Sequence, residues 1–273
     1  MGTPFVRAMP QALTIATSDS GGGAGIQGDI KAMAANGVFG LSVVVAITAQ
    51  NTTTISRVHA VPCDVIEAQL DAVFGDFAVG AVKTGMLHSA EIIRSVAGRL
   101  RSHGASRLVV DPVMVSSTGV RLLEPDAVDT LVRELFPLAE VVTPNVPEAE
   151  ALTGMRIATI DDARAAAVKI HQRGCRAVLL KGGHLSQAPG TDVLFDGASW
   201  TVIPGEWIDS PHTHGTGCAY SAAIAAHLAK GADLMSAVRA AKQYITEAIR
   251  HGLAIGHGKG PMNLLYRLEQ GSA

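Results

Sequence analysis

Apolar, β-branched runs alternate with segments of helical periodicity along this chain. "SVVVAIT" is followed by the helical "CDVIEAQLDAVF", and "RLVVD" leads toward "EPDAVDTLVRELF". The runs are almost continuously apolar, which is typical of strands in a parallel sheet that helices cover on both faces. "TDVLFDGASWTVI" instead predicts a hairpin that turns at Asp196-Gly197, and so an antiparallel edge. The pattern predicts an α/β fold of the doubly wound type.

The organisation along the chain predicts one domain, residues 1–273. Hydrophobic residues make up 48% and charged residues 17% of the 273 positions, which is enough apolar material for a substantial core. No internal repeat or Pro/Ser-rich linker divides the sequence. Polar and glycine-rich segments follow the predicted strands, so we expect them to meet at the carboxyl rim of the sheet, where ligands bind in such folds.

Charge and cysteine content argue against several classes of protein. The formal net charge is −2 without any basic block, which disfavours a nucleic-acid partner. Three cysteines with no CxxC pair indicate a reducing compartment rather than a disulfide framework. The N-terminus lacks the apolar core of a signal peptide, and "LSVVVAITA" is too short to span a bilayer. A cytoplasmic protein without a membrane segment is predicted.

A glycine loop, "TSDSGGGAGIQGD", lies between the first strand and the first helix and contains the pattern G-x-G-x-x-G. In dinucleotide-binding proteins an acidic residue follows about 20 residues on and binds the ribose hydroxyls. Here the next acidic residue after Asp29 is Asp64, and the chain contains no Gly-Lys-Ser/Thr of a P-loop. NAD binding is therefore excluded. The loop is either a ligand-binding segment or a tight turn that needs small residues.

A second glycine motif, "HTHGTGC", opens an alanine-rich helix. Gly215, Thr216 and Gly217 let successive backbone N–H groups turn toward one point at the positive end of the helix, which predicts an anion hole. The same field is expected to lower the pKa of Cys218 in the first turn and to favour a thiolate. The alternative is a glycine-capped helix start with a buried cysteine.

A metal site is a further interpretation of this motif. His212 and His214 are two residues apart, so their side chains lie on the same side of an extended segment. They can therefore converge on one metal, with Cys218 as another ligand. Zinc would need a fourth ligand or an open position from elsewhere in the fold. Histidines that shape the loop or face solvent are the alternative that the sequence favours.

Acidic and amide side chains follow two other strands. Asp111 ends "RLVVD", and Asn145 and Glu148 open a helix after "VVTP". Carboxylates at such a rim suit Mg²⁺ that is held through water molecules and substrate phosphates. Equally, Asn145 can be the N-cap of a helix with Glu148 in its first turn. Both interpretations can hold at once.

Three further side chains at strand ends are candidates for ligand contact. Lys181 ends an apolar strand before two glycines and can neutralise a nucleotide phosphate, although a solvated lysine is the usual case at the end of a strand. The same holds for Lys83 in "VKTGML". Gln50 carries both a donor and an acceptor, which suits the edge of a heterocycle better than a phosphate.

Taken in order, the motifs resemble those of the hydroxymethylpyrimidine/phosphomethylpyrimidine kinases of thiamine biosynthesis, within the ribokinase-like superfamily. The segments that carry the resemblance are "LTIATSDSGGGAGIQGD", "AQNT", "VKTGML", "VVDPVM", "VVTPNVPEAEAL", "LLKGGH", "HTHGTGC" and "GHGKGP". They extend from about Leu13 to Pro261. The resemblance implies a three-layer sandwich with a mostly parallel central sheet, helices on both faces and an antiparallel edge.

The resemblance also implies a reaction, the ATP- and Mg²⁺-dependent phosphorylation of the pyrimidine's hydroxymethyl group and then of the resulting monophosphate. Asp29 and Gln50 would contact the pyrimidine, with Met86 and Val113 as apolar walls. The backbone of the first glycine loop, at Gly25, would approach the flat ring. A homodimer is implied as well.

The remaining roles follow from the same resemblance. The segment Gly215–Gly217 corresponds to the anion hole, and Cys218 stands where most ribokinase-like enzymes carry an aspartate base. The residues implied on the other side of the site are Asp111 and Glu148 for Mg²⁺ and phosphate, and Lys181 and Asn145 for the nucleotide.

Three positions depart from the family pattern, and two other functions stay open. Thr17 stands where the family usually has glycine, and Gly28 stands where many members have alanine. Ser117 stands where many members have lysine. A pyridoxine or pyridoxal kinase uses the same scaffold, although Gln50 favours the aminopyrimidine. A non-catalytic vitamin sensor is the other alternative, and the joint presence of the acidic, lysine and cysteine candidates disfavours it.

Overall fold

The computed structural model describes residues 8–114, 123, 125–183, 185 and 187–270. Ser117 lies outside these residues. The described strands form one nine-stranded sheet in the order β3-β2-β1-β4-β5-β6-β7-β8-β9. The strands are β1 Gln11–Asp19, β2 Phe39–Gln50, β3 Ile55–Ala60, β4 Val79–Thr84, β5 Leu108–Val110, β6 Ala139–Val142, β7 Val178–Leu180, β8 Asp192–Phe195 and β9 Trp200–Ile203.

Helices cover both faces of the sheet. They are α1 Gly25–Ala35, α2 Cys63–Asp76, α3 Ala90–Ser102, α4 Pro125–Glu134, α5 Val146–Thr153, α6 Ile160–His171, α7 Thr216–Ala229, α8 Leu234–Arg250 and α9 Tyr266–Gln270. The core on one face includes Leu70 and Ile170 from α2 and α6. The core on the other face includes Met33 and Tyr244 from α1 and α8. This arrangement confirms the predicted three-layer α/β sandwich.

The middle of the sheet is parallel and its edges are antiparallel. Strands β2, β1, β4, β5, β6 and β7 pair in parallel, and β8 and β9 form the expected antiparallel hairpin. Its turn is held by Asp196 Oδ1, which accepts from the Ser199 N–H at 2.7 Å, and contains Gly197 with a φ of 95°. At the opposite edge β3 pairs antiparallel with β2. The sequence analysis missed β3 because its side chains are mostly exposed, which leaves little apolar signal.

The parallel register brings the carboxyl ends of the central strands to one rim. Strand β1 ends at Asp19 and β2 at Gln50, while Asp111 and Lys181 directly follow β5 and β7. The motifs that follow strands in the sequence therefore lie together in the fold, as expected. Among the described helices, none has the length and apolar character needed to cross a membrane.

Candidate active site

A cavity of about 610 Å³ opens at this rim. Its wall includes four of the residues that the sequence analysis assigned to the substrate, namely Gly25, Gln50, Met86 and Val113. It includes the whole predicted anion hole, Gly215, Thr216 and Gly217, together with Cys218. The four residues assigned to metal and nucleotide, Asp111, Asn145, Glu148 and Lys181, also border it. One cavity thus gathers the motifs from both halves of the chain.

The first glycine loop encloses a carboxylate of its own. The backbone N–H groups of Gly21, Gly23 and Ala24 donate to the Asp19 carboxylate at 2.8, 3.2 and 2.9 Å. His214 Nε2 lies 3.2 Å from Asp19 Oδ2. Burial opposes ionisation, but these hydrogen bonds and the histidine together lower the pKa of Asp19. Because the loop already binds an internal anion, it is not a phosphate cradle.

Gly25 joins this loop to the second glycine motif. Its φ is +55°, and a Cβ at this position would lie 2.3 Å from the Thr17 carbonyl oxygen, so a side chain does not fit. Helix α1 begins at Gly25. A hydrogen bond from the Gly25 backbone reaches the Cys218 thiol and acts to lower its pKa. The opening loop therefore positions a backbone N–H beside the cysteine.

Helix α7 begins without a side-chain cap. Its N-cap is Gly215, with a φ of 82° and no side-chain hydrogen bond, whereas α5 begins with an Asn145–Glu148 capping box. A Cβ at Gly215 would lie only 2.0 Å from the Gly23 carbonyl oxygen, so close packing of the two loops requires glycine here. The first-turn N–H groups of a helix that lacks such a cap are a ready-made site for an anion. This geometry agrees with the predicted anion hole.

The protonation of Cys218 differs from the sequence-based expectation. Burial, with a smaller contribution from the carboxylates of Asp111 and Asp29, raises the pKa of the Cys218 thiol to about 11, while Lys83 and the Gly25 backbone oppose the rise. The predicted lowering of this pKa was wrong, because burial outweighs the field at the start of the helix. The thiol therefore keeps its proton at neutral pH in the ligand-free protein.

A fully buried ion pair lies beneath the cavity. Lys83 Nζ donates to Asp29 Oδ2 at 2.7 Å, and both side chains have an exposed fraction of 0%. Thr14 Oγ1 donates to the same oxygen at 2.6 Å. Burial alone would lower the pKa of Lys83. The surrounding negative groups, of which Asp29 contributes most, instead raise this pKa well above its usual value.

This ion pair gives Asp29 a structural partner beneath the cavity. Lys83 borders the cavity and Asp29 does not, and contact of Asp29 with the pyrimidine stays a prediction. The sequence could not separate the two residues, because their pairing joins α1 to β4 across 54 positions.

A second ion pair joins the predicted metal and nucleotide residues. Lys181 Nζ donates to Asp111 Oδ1 at 2.9 Å, and Ser221 of α7 donates to Asp111 Oδ2 at 3.2 Å. A Cβ at Gly217 would lie 3.2 Å from Lys181 Nζ, so this ammonium group is adjacent to the start of α7. Burial raises the pKa of Glu148 to about 7, with Lys181 opposing the rise. Positive and negative groups thus meet beside the start of α7, where an anion hole is predicted.

The geometry shows the helix-capping role of the Asn145 segment, and its role toward metal and nucleotide stays a prediction. Asn145 Oδ1 accepts from the Glu148 N–H and Glu148 Oε2 accepts from the Asn145 N–H, each at 2.9 Å, so the pair caps α5. Both residues also border the cavity. Asn145 forms an isolated parallel bridge with Lys181, which aligns the ends of β6 and β7.

Sequence reasoning missed a buried cluster behind the Lys181 segment. Asp192, 1% exposed, accepts from the Gly182 N–H at 3.0 Å, from the Tyr220 hydroxyl at 3.0 Å and from Lys242 Nζ at 2.7 Å. The cluster fixes Gly182, the residue that follows Lys181. No local signal could have found it, because its members are 10 to 50 positions from Asp192 along the chain.

The two histidines of the zinc interpretation do not converge with Cys218. His214 Nε2 lies 3.4 Å from Gln50 Nε2 and near Asp19, whereas His212 packs against Gly252 and Gly260. Within the described part of the chain no three His, Cys, Asp or Glu side chains form a group that could hold a metal ion. The histidines therefore shape the loop that precedes α7.

Thr17, one of the departures from the family pattern, has a structural contact of its own. Its hydroxyl donates to the Met86 carbonyl at 3.1 Å, and its exposed fraction is 5%. We expect Thr17→Gly to lower the free energy of unfolding by about 2 kcal/mol, through the lost hydrogen bond and the added flexibility of glycine in a strand. Urea denaturation measures this change, and Thr17→Ser, which keeps the hydroxyl, is the control. Equal stability of the glycine and wild-type proteins would contradict the prediction.

The fold and the cavity at its rim are those of a class of protein, the small-molecule kinases built on a three-layer α/β sandwich. A sequence profile of this class, phosphomethylpyrimidine kinase, matches residues 19–263. The chain belongs to the phosphomethylpyrimidine kinase family.

Individual relatives are similar over almost the whole chain. The hydroxymethylpyrimidine/phosphomethylpyrimidine kinase of Rhizobium meliloti is 52% identical over 94% of this chain and 97% of its own length. A thiamine biosynthesis bifunctional protein of Geobacter sulfurreducens is 49% identical over 97% of this chain, which spans only 54% of that longer protein. A Bacillus subtilis pyridoxal kinase, solved as an ADP complex, superposes with a TM-score of 0.89 at 40% identity, covering 96% of this chain and all of that one.

Proposed function

We propose that this protein phosphorylates 4-amino-5-hydroxymethyl-2-methylpyrimidine with ATP, first to the monophosphate and then to the diphosphate. The observation that carries the proposal is the start of α7 at Gly215, which has no side-chain cap and faces the same cavity as Gln50 and Lys181. This cavity combines an anion site with a neutral donor and acceptor for a heterocycle. The names of the Rhizobium and Geobacter relatives support the same reaction.

The proposed transfer needs positioning and charge neutralisation more than covalent chemistry. The hydroxymethyl oxygen forms a bond to the γ-phosphorus, and the bond from that phosphorus to the oxygen that leaves with ADP breaks. The backbone N–H groups of Gly215–Cys218 stabilise the charge on the transferring group, with the Lys181 ammonium adjacent. We keep Cys218 as the group that accepts the hydroxyl proton, which requires its deprotonated form. Gln50 holds the ring.

Magnesium fits the acidic residues as a hydrated ion. Asp111 already accepts hydrogen bonds from Lys181, Thr143 and Ser221, so its oxygens are partly engaged. Asp111 and Glu148 would therefore hold Mg²⁺ largely through water molecules, with nucleotide phosphates completing the shell. When bound, the ion supplies neutralisation of phosphate charge.

A pyridoxal kinase is the second candidate, because the pyridoxal kinase from Bacillus subtilis shares this fold over almost the whole chain. A steady-state comparison of kcat/KM for the aminopyrimidine and for pyridoxal separates the two. We expect the aminopyrimidine to be preferred because Gln50 offers both a donor and an acceptor to the edge of the ring. Preferential turnover of pyridoxal would reverse the assignment.

A phosphorus NMR time course tests the proposed function directly. With ATP, Mg²⁺ and the pyrimidine alcohol, we expect a monophosphate signal to rise first and a diphosphate signal to follow as the monophosphate is consumed. Omission of the pyrimidine is the control for unspecific ATP hydrolysis. Absence of pyrimidine-dependent ATP consumption with Mg²⁺ present, after subtraction of this control, would favour the non-catalytic sensor instead.

We also propose a cytoplasmic homodimer. All three cysteines are free in the structure, which is consistent with a reducing compartment. The edge strand β3 and its neighbour β2 carry exposed apolar residues, Phe39, Ile47 and Val58, which are candidates for a subunit interface. Sedimentation equilibrium measures the mass, and a monomer at micromolar concentration would contradict the dimer.

A further inference from the structure

The glycine-rich segment 256–260, "GHGKG", is held against the turn between β2 and β3. Thr52 Oγ1 accepts from the backbone N–H groups of His257 and Gly258 at 3.2 and 3.1 Å. A Cβ at Gly258 would lie 2.1 Å from the Thr52 carbonyl oxygen, so the close approach of the two segments depends on glycine. One side of the segment is therefore fixed beside Gln50.

The other side of the segment is fixed to the loop that precedes α7. The Gly260 carbonyl accepts from the His214 N–H at 3.2 Å, and His214 forms an isolated parallel bridge with Pro261. A Cβ at Gly260 would lie 2.4 Å from His212 Nδ1. The segment therefore lies between the turn that follows Gln50, on the substrate side of the cavity, and the loop that precedes α7. This position brings Lys259 to the wall of the cavity.

Lys259 differs from the other lysines in that wall in its exposure to solvent. The side chains of Lys83, Lys181 and Lys242 are at most 16% exposed. Among the described lysines that border the cavity, Lys259 alone is exposed. Its ammonium group is therefore accessible to an incoming anion.

The two proposed phosphorylations differ in the charge of the acceptor. The first acceptor is a neutral alcohol, and the second carries a phosphate of its own. In the second reaction the N–H groups at the start of α7 are engaged by the transferring phosphoryl group, so the phosphate of the acceptor needs positive charge from elsewhere. An oxygen of that phosphate bonds to the γ-phosphorus while the bond to ADP breaks.

We infer that Lys259 binds the phosphate of the monophosphate acceptor and so determines the efficiency of the second phosphorylation relative to the first. This inference rests on the proposed function. It follows from the position of the glycine segment between Gln50 and the start of α7, and from the exposure of Lys259 at the cavity wall. Ion pairs of a lysine with a phosphate are among the stronger polar contacts in proteins.

The test compares Lys259→Gln with the wild type on both acceptors. We expect the ratio of kcat/KM for the monophosphate to kcat/KM for the alcohol to fall about tenfold, the size of one charge-assisted contact. Most of the fall should lie in the KM of the monophosphate. Lys259→Arg, which keeps the charge, should restore most of the ratio. The matched control is Arg57→Gln on β3, which removes one exposed positive charge outside the cavity wall and should leave the ratio unchanged.

Several outcomes would overturn the inference. They are an unchanged ratio in Lys259→Gln, an equal loss for both acceptors, and a fall in Arg57→Gln as large as that in Lys259→Gln. A melting temperature within a few degrees of the wild type shows that the variant is folded, and Lys259→Arg serves as the folded variant if Gln is not tolerated. Failure of the proposed function looks different, because the wild type would then turn over neither acceptor.

Discussion

Replacing Cys218 by alanine is expected to lower kcat about a hundredfold, while KM for the pyrimidine changes much less. A hundredfold loss is at the lower end of the range for the removal of a group that accepts a proton in catalysis. The thiol borders the cavity beside the anion hole and receives a hydrogen bond from the Gly25 backbone. Its removal takes away the proton acceptor without disturbing the backbone N–H groups that hold the phosphoryl group. Steady-state kinetics give both parameters. Cys63→Ala, which changes a partly exposed cysteine outside the cavity wall, is the control.

The raised pKa of Cys218 makes this prediction depend on pH. Because the thiol has a pKa of about 11, only its small deprotonated fraction can accept a proton near neutral pH. If that fraction is required, kcat/KM rises about tenfold for each unit of pH below the pKa. In Cys218→Asp the acceptor is ionised at much lower pH, so we expect a flatter profile above neutrality. A pH-independent wild-type rate, or an unchanged kcat in Cys218→Ala, would show that the thiol is not the base.

Replacing Asp29 by alanine is expected to lower the free energy of unfolding by about 3–5 kcal/mol, the usual cost of leaving one partner of a buried ion pair uncompensated. Lys83 and Asp29 are both fully buried and 2.7 Å apart, and Thr14 bonds the same carboxylate oxygen. The variant would bury an ammonium group without its counter-ion. Urea denaturation at pH 7 measures the loss, and Asp76→Ala at the exposed end of α2 should change stability by less than about 0.5 kcal/mol.

A double variant separates the missing partner from a general packing defect. Lys83→Met alone leaves the Asp29 carboxylate buried and should destabilise the protein about as much as Asp29→Ala. Asp29→Leu combined with Lys83→Met removes both charges and should recover much of the stability, since apolar replacements of buried pairs are often neutral. Additive losses in the double variant would contradict the prediction. Activity is expected to stay low, because Lys83 borders the cavity.

Local sequence signals were sufficient for most of the scaffold. The first helix, expected after the glycine loop, begins at Gly25, and the hairpin turns at Asp196-Gly197 as expected. These elements follow from hydrophobic periodicity and turn chemistry, which act over a few residues. Strand β3 escaped detection because an exposed edge strand has no buried face to mark it.

Contacts that appear only in the folded chain decided what each motif does. Asp19 was part of a quoted motif, but only the folded loop shows that its carboxylate takes up the N–H groups of three neighbouring residues. Lys83 was a strand-end lysine with two interpretations until its partner in α1 was visible. Asp19 meets these N–H groups, and Lys83 meets Asp29, only once the loops and strands have packed.

The amino-acid sequence by itself determined the α/β scaffold, the rim where ligands bind and the two glycine motifs, because these depend on short-range patterns and on the order of segments. The tertiary structure decided that the first loop binds its own Asp19 rather than a phosphate. It also decided that Cys218 keeps its proton. The reason is physical. The pKa of a side chain depends on its burial and on neighbouring charges, and the availability of an N–H group depends on which acceptor the folded loop brings to it. Burial, neighbouring charges and acceptors are set only when the chain has folded.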